Sequence, residues 1–145
     1  MTIIRGQTGW ILIDPLTGIE TAKAALELVN ATLGERPVTA VIYSHSHADH
    51  FGGVRGVVDE NAVKAGRVAV IAPDGFMKEA TSENIMAGGA MRRRAEYQFG
   101  AGLVPGATGQ MGSGIGMAIP AAVQSLIAPT DTIAATGETL SLIHI

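Results

Sequence analysis

Residues 38–50 read VTAVIYSHSHADH, an apolar run with β-strand character that leads directly into four potential metal ligands. The four are His45, His47, Asp49 and His50, and they include three of the chain's four histidines. In an extended segment, residues two apart point the same way, so we expect His45 and His47 to reach one metal ion. The turn that follows should direct Asp49 and His50 toward a second ion.

The ligand types in this stretch indicate a zinc-like site. Imidazole and carboxylate groups bind zinc and similar first-row ions, and two such ions roughly 3.5 to 4 Å apart activate water and stabilise an oxyanion. The pattern therefore indicates metal-assisted hydrolysis. A polar turn with solvent-exposed histidines is the alternative, but four ligands after a strand favour the metal site. Gly52-Gly53 supports it further, because a backbone without Cβ can pass close to a site.

Hydrophobic spacing along the rest of the chain alternates between strand and helix periods. A Thr17-x-x-Glu20 capping box should begin a helix that Gly34 ends. A later helical segment should be interrupted near Gly88-Gly89. The predicted strands are 3–5, 10–13, 38–43 and 68–72, and the predicted helices are 17–33, 60–65 and 75–99. This order of elements fits one layer pair of an α/β sandwich.

Composition limits the classes of protein. The chain has 145 residues, of which 47% are hydrophobic and 16% charged, which is typical of one globular domain at most. Its net charge of -3 offers no basic surface for nucleic acid. It contains no cysteine, which excludes disulfides and thiolate zinc sites. No apolar run approaches the roughly 18 to 20 residues of a membrane span, so we expect none.

The His-x-His-x-Asp-His pattern resembles the signature of the metallo-β-lactamase fold. Its flanks resemble one branch of that superfamily, the alkyl sulfatases, which cleave sulfate esters such as dodecyl sulfate. The strings that carry this resemblance include GWILIDPLT at 9–17, LGERP at 33–37, GFM at 75–77, EN at 83–84 and PTDTI at 129–133. The resemblance covers nearly the whole chain, up to about Leu140, and implies an incomplete αββα sandwich of which about one half is present.

The resemblance also implies an activity. It implies a zinc-dependent hydrolase that converts alkyl sulfate esters to an alcohol and sulfate, with two Zn²⁺ in the complete site and a homodimeric parent protein. A hydrolase of the same fold that acts on lactones or thioesters is the alternative enzyme. A metal-binding fragment without catalysis is the alternative outside enzymes.

Two further features gain a role by resemblance. Asp14 should brace the metal-binding loop through hydrogen bonds, although an Asp-Pro turn at a strand end is the alternative. A glycine-rich loop should contact the sulfate group, with a flexible surface loop as the alternative. The loop residues are Thr108, Gly109, Gln110, Met111, Gly112, Ser113, Gly114, Ile115 and Gly116. The arginines at 92–94 suit an oxyanion, although a solvated helix face accounts better for most of them.

The resemblance sets the expected domain bounds. Residues 1–140 should form a partial metallo-β-lactamase catalytic domain, and residues 141–145, where the resemblance stops, should be a non-native tail. The family's remaining ligands, two glutamates and a histidine, should lie outside this chain, and His144 should not replace them. We therefore expect the chain alone to bind metal weakly and turn over little substrate. Localisation stays open, because the native start should lie upstream of Met1.

Overall fold

The computed structural model describes residues 1–113 and 122–137 of the chain. Within these residues, five strands and five α-helices follow one another in largely alternating order. The strands are β1 (Thr2–Arg5), β2 (Trp10–Ile13), β3 (Val38–Ile42), β4 (Ala69–Pro73) and β5 (Asp131–Ile133). The helices are α1 (Ile19–Leu33), α2 (Ala48–Phe51), α3 (Glu60–Lys64), α4 (Phe76–Thr81) and α5 (Gly88–Phe99), with a 3₁₀ turn at Val54–Gly56 and a π-helical turn at Ser82–Met86.

The strands form one sheet in the order β1-β2-β3-β4-β5. The hairpin of β1 and β2 is antiparallel, and each later strand pairs in parallel with the one before it. In this register Leu12 lies opposite Val41, and Val41 lies opposite Val70. The carboxyl ends of β2, β3 and β4 therefore meet at one edge of the sheet, which is where open α/β sheets bind their ligands.

One face of the sheet carries the hydrophobic core. Alternate strand residues such as Trp10, Leu12, Val41 and Val70 are buried there, because side chains two apart share a face. The helices and the 3₁₀ turn cover this face, and Tyr43 stacks on Phe76 with ring centroids 5.0 Å apart. The helical residues of the core are Ala22, Phe51, Val54, Val63, Phe76 and Ala80.

The opposite face of the sheet is also apolar but less covered. Ile11, Ile13 and Ile42 are half-buried there, and Ile4 is 44% exposed. A sheet with helices on one face and a second apolar face is the arrangement of one layer pair of a sandwich. The predicted α/β class is therefore confirmed.

The element boundaries confirm most of the sequence prediction and correct one detail, the start of α1. The helix does end at Gly34, whose φ of 93° suits a residue without Cβ. However, α1 begins after Gly18, and no side chain caps it, so the predicted capping box is wrong. Glu20 instead accepts a hydrogen bond from the backbone N–H of Val123, at 3.2 Å. The later helical segment is interrupted by the π-helical turn, and Gly88 begins α5.

Gly52 and Gly53 are needed for packing against the loop before α1. A Cβ on Gly53 would collide with the carbonyl oxygen of Pro15 and the Cβ of Ala22, and one on Gly52 would collide with the carbonyl of Thr17. The sequence prediction placed this close approach at the metal site. The structure places it behind the ligand loop, where it brings the end of α2 against the loop before α1.

Residues 122–130 cross this part of the molecule as an extended segment. Ser125 donates its backbone N–H and its hydroxyl to the carbonyl of Gly52, at 2.7 and 2.9 Å. The Tyr43 hydroxyl donates to the carbonyl of Ile127 at 3.2 Å. Burial raises the pKa of Tyr43, so the phenol stays protonated as a donor. None of the described helices is long and apolar enough to cross a membrane.

Candidate metal centre

The four predicted ligands lie at the carboxyl end of β3 and converge in space. The chain leaves the sheet at Tyr43, bends at residues 45 and 46, and begins α2 after His47. Asp49 and His50 lie in the first turn of α2. The sequence prediction placed His45 and His47 on an extended strand, but the bend brings them together instead.

His45 and His47 face each other through one nitrogen each. His45 Nε2 lies 3.0 Å from His47 Nδ1, and the two ring centroids are 4.6 Å apart. Two ligands at zinc distances and a tetrahedral angle are about 3.3 Å apart, so this spacing suits a shared ion.

Asp49 and His50 form a second pair beside the first. His50 Nε2 lies 3.3 Å from Asp49 Oδ2, which again matches the spacing of two ligands on one ion. The His45 and His50 rings are 4.0 Å apart between centroids, so the two pairs adjoin. Among residues 1–113 and 122–137, no group of three or more His, Cys, Asp or Glu side chains is arranged to hold a metal ion, so the candidate ligands converge as two pairs.

Asp14 contacts Nδ1 of His50, while Nε2 of the same ring faces Asp49. Asp14 follows β2, and its carboxylate accepts hydrogen bonds from the Ser44 backbone N–H at 2.8 Å, the Ser44 hydroxyl at 2.7 Å and His50 Nδ1 at 2.9 Å. Burial would raise the pKa of Asp14, but these hydrogen bonds outweigh it and hold the pKa below its ordinary value. Asp14 has a φ of 55°, a left-handed conformation that Asp tolerates better than most residues.

Ser44 extends this network to His45. Its single O–H proton is donated to the Asp14 carboxylate, so the hydroxyl oxygen can only accept from His45 Nδ1, 2.9 Å away. In the neutral imidazole, His45 Nδ1 therefore carries the proton and His45 Nε2 presents a lone pair. By the same reasoning His50 Nδ1 donates to Asp14, and His50 Nε2 presents a lone pair to Asp49.

His47 also contacts a carboxylate, through its Nε2 atom. Its Nε2 lies 3.2 Å from Glu83 Oε1, and its Nδ1 faces His45. Sequence analysis named residues 83–84 only as part of the resemblance and assigned Glu83 no role in the site. Glu83 lies 36 positions after His47 on a different element, and no spacing rule connects the two.

The two pairs bring candidate ligand atoms face to face. His45 Nε2 faces His47 Nδ1 and His50 Nε2 faces Asp49 Oδ2, and a cation between the two atoms makes either contact attractive. A proton or a metal ion is such a cation. The donor set of three imidazoles and one carboxylate suits a first-row metal, so the residues fit the group that the sequence predicts.

An open cleft of about 420 Å³ adjoins the ligand loop. His47 and Asp49 form one side of it, and the π-helical turn and α5 form the other. The polar residues that line it are His47, Asp49, Glu83, Asn84, Arg92 and Gln124. Of the three arginines singled out in the sequence, Arg92 thus lies beside the candidate metal ligands.

The predicted sulfate loop is described only from Thr108 to Ser113. Gln110 donates its side-chain N–H to the carbonyl of Phe99 at 3.1 Å, which attaches the loop to the carboxyl end of α5. Gln110 and Ser113 line a separate pocket of about 280 Å³ that also includes Arg92. Gly114, Ile115, Gly116 and the tail at 141–145, with His144, lie outside the described residues.

Comparison with known proteins identifies the family of the chain. Residues 1–144 match the metallo-beta-lactamase superfamily. A linear primary-alkylsulfatase from Pseudomonas sp. is 55% identical over 139 residues, which are 96% of this chain and 21% of that protein. The alkyl/aryl-sulfatase BDS1 of Saccharomyces cerevisiae is 51% identical over 130 residues, 90% of this chain and 20% of that protein.

A solved structure agrees with these sequence relatives. The stereoselective inverting sec-alkylsulfatase Pisa1 from Pseudomonas sp. superposes with a TM-score of 0.88 at 47% identity, over 97% of this chain and 22% of that one. The chain thus spans about a fifth of the length of the relatives it matches. The fold is accordingly a partial metallo-β-lactamase fold, as predicted. From the match over residues 1–144, the chain belongs to the metallo-beta-lactamase superfamily.

Proposed function

We propose that this chain provides the metal-binding loop of a zinc-dependent hydrolase of alkyl sulfate esters, which yields an alcohol and sulfate. The observation that carries the proposal is the close approach of candidate ligand atoms in two adjoining pairs, His45 with His47 and Asp49 with His50. Similarity to proteins named alkylsulfatases supports the choice of substrate.

Each residue of the site has a proposed task. His45 and His47 would hold one ion, and Asp49 and His50 the other. When bound, such ions supply positive charge that activates water and stabilises a departing oxyanion. Asp14 and Ser44 keep His45 and His50 in the tautomers that can bind metal.

The cleft beside the loop is the proposed substrate channel. Arg92 offers a guanidinium that suits a tetrahedral oxyanion, and Met91 adds apolar surface at the same wall. The loop from Thr108 to Gly116 would contact the sulfate group, as the resemblance to alkylsulfatases implies. Both roles are proposals from residue chemistry and from the resemblance to alkylsulfatases.

Zinc binding tests the metal site directly in the 145-residue chain. We expect a competitive titration with a chromophoric chelator to detect weak zinc binding that His47→Ala and Asp49→Ala each reduce. Asp74→Ala is the matched control, because Asp74 follows β4 as Asp14 follows β2, but its carboxylate, among the described residues, accepts only the N–H of Gly75. Equal binding by the parent chain and the His47→Ala, Asp49→Ala double variant would contradict the proposal.

A chimera tests the substrate. Residues 1–140 would replace the matching segment of the Pseudomonas linear primary-alkylsulfatase, and sulfate release from dodecyl sulfate would be measured. We expect release by the chimera, loss of release on His47→Ala, and no turnover of a thioester or lactone. A folded chimera that hydrolyses the thioester and releases no sulfate would instead support the other hydrolase classes of this fold.

A further inference from the structure

The contact between Glu83 and His47 resembles the contact between Asp14 and His50 in its chemistry. In both, a carboxylate oxygen lies within hydrogen-bond distance of one imidazole nitrogen, and the other nitrogen faces a second candidate ligand. Histidines that bind metal usually donate their second N–H to such a group, which fixes the tautomer and the ring orientation.

His47 needs this support more than its neighbours do. Its side chain is 57% exposed, whereas that of His50 is 30% exposed. An exposed imidazole rotates and exchanges tautomers unless a partner holds it. Among the described contacts of His47, Nε2 contacts Glu83 and Nδ1 contacts His45.

The π-helical turn at Ser82–Met86 places Glu83 against the ligand loop. Such turns interrupt α-helices and are frequent at functional sites. The turn makes a second contact with the loop, because the side chain of Asn84 donates to the carbonyl of Ser46 at 3.4 Å and to that of Ala80 at 2.8 Å. Two adjacent side chains thus contact the loop, Asn84 at the Ser46 carbonyl and Glu83 at the His47 ring.

We propose that Glu83 is a positioning residue for the metal site: it accepts the Nε2–H of His47 and so directs the Nδ1 lone pair toward the ion shared with His45. The inference rests on the proposed metal site and extends it to an element outside the ligand motif. The π-helical turn is then the part of the fold that fixes the His47 imidazole.

Three variants of the 145-residue chain test the role of Glu83. Glu83→Ala removes the acceptor, and we expect zinc affinity to fall by 10- to 100-fold, the range for such supporting groups. Glu83→Gln keeps an oxygen acceptor without the charge, and we expect a smaller loss. Glu79→Ala is the control, because Glu79 is exposed one turn earlier and its side chain, among the described residues, pairs only with Lys78. We expect its affinity to stay within twofold of the parent chain.

Nitrogen NMR of the imidazoles adds a readout that a merely structural role would not change. In the zinc-bound parent and in Glu83→Gln, we expect His47 to carry its proton on Nε2. In Glu83→Ala we expect a mixture of tautomers, while His50 keeps its Nδ1 proton through Asp14. Circular dichroism on each variant checks the fold, and Glu83→Gln decides the question if Glu83→Ala does not fold.

The outcomes separate this inference from the proposed function. A parent chain that binds no zinc would overturn the proposed metal site and the role of Glu83 with it. A parent chain that binds zinc, beside a Glu83→Ala variant with the same affinity and the same His47 tautomer, would overturn the inference about Glu83 alone.

Discussion

Replacement of Asp14 by Asn is the sharpest test of how the ligand loop is held. Asn has nearly the same shape as Asp and tolerates the left-handed φ of 55°, so the backbone conformation should survive. The side-chain oxygen can still accept the Ser44 N–H. The amide nitrogen then faces His50 Nδ1, where a donor meets a donor.

The expected cost follows from the lost hydrogen bond to His50, which is 2.9 Å long. A hydrogen bond to a charged group contributes about 1.5 to 3 kcal/mol. Because the Asp14 side chain is 19% exposed, water compensates for part of this loss. We therefore expect the free energy of unfolding to fall by about 1 to 2 kcal/mol. The freed imidazole should also move its proton to Nε2, which faces Asp49. Zinc affinity should therefore fall by about 10- to 100-fold.

Urea denaturation and a competitive zinc titration measure the two effects separately. Asp74→Asn is the control, because Asp74 is an exposed strand-end carboxylate that, within the described part of the chain, accepts only a local hydrogen bond from Gly75 at 2.9 Å. Its stability should stay within about 0.5 kcal/mol of the parent chain. Zinc affinity of Asp14→Asn within twofold of the parent would refute the reasoning, since it would mean that Asp14 does not orient His50.

Two further changes test the packing that supports the loop. Gly53→Ala should destabilise the chain by about 1 to 3 kcal/mol in urea denaturation, because its Cβ would collide with Pro15 and Ala22. Gly102→Ala, where a Cβ meets open space, should be nearly neutral, and equal effects of the two would contradict the packing argument. Tyr43→Phe should cost about 1 to 2 kcal/mol, because it leaves the buried carbonyl of Ile127 without its donor. A thermal melt unchanged by Tyr43→Phe would show that water replaces the hydroxyl.

The sequence predicted the parts of the site that are local in the chain. A strand, a turn and a short helix bring His45, His47, Asp49 and His50 together within six residues, so their pattern alone is informative. The α/β class was predictable for a similar reason, because strand and helix periods alternate along the chain. The family resemblance added Asp14, which no spacing rule would have connected to His50.

The details that the sequence did not predict depend on tertiary contacts. Thr17 and Glu20 have the spacing of a capping box, but Glu20 pairs with the backbone of Val123, about a hundred residues away. Glu83 reaches His47 only because a π-helical turn follows α4. Local preference cannot reveal either contact, since each depends on which segments the completed fold brings together.

The meeting of three strand ends at one edge of the sheet has a consequence for folding. Asp14, the ligand loop and Glu83 follow β2, β3 and β4 with its helix, and they come together only when these strands are paired in register. A slip of one residue between β2 and β3 would turn Asp14 to the other face and release the imidazoles. An ion bound by the loop would stabilise only molecules whose strands are paired in the correct register. Ion binding would therefore shift the population toward that register.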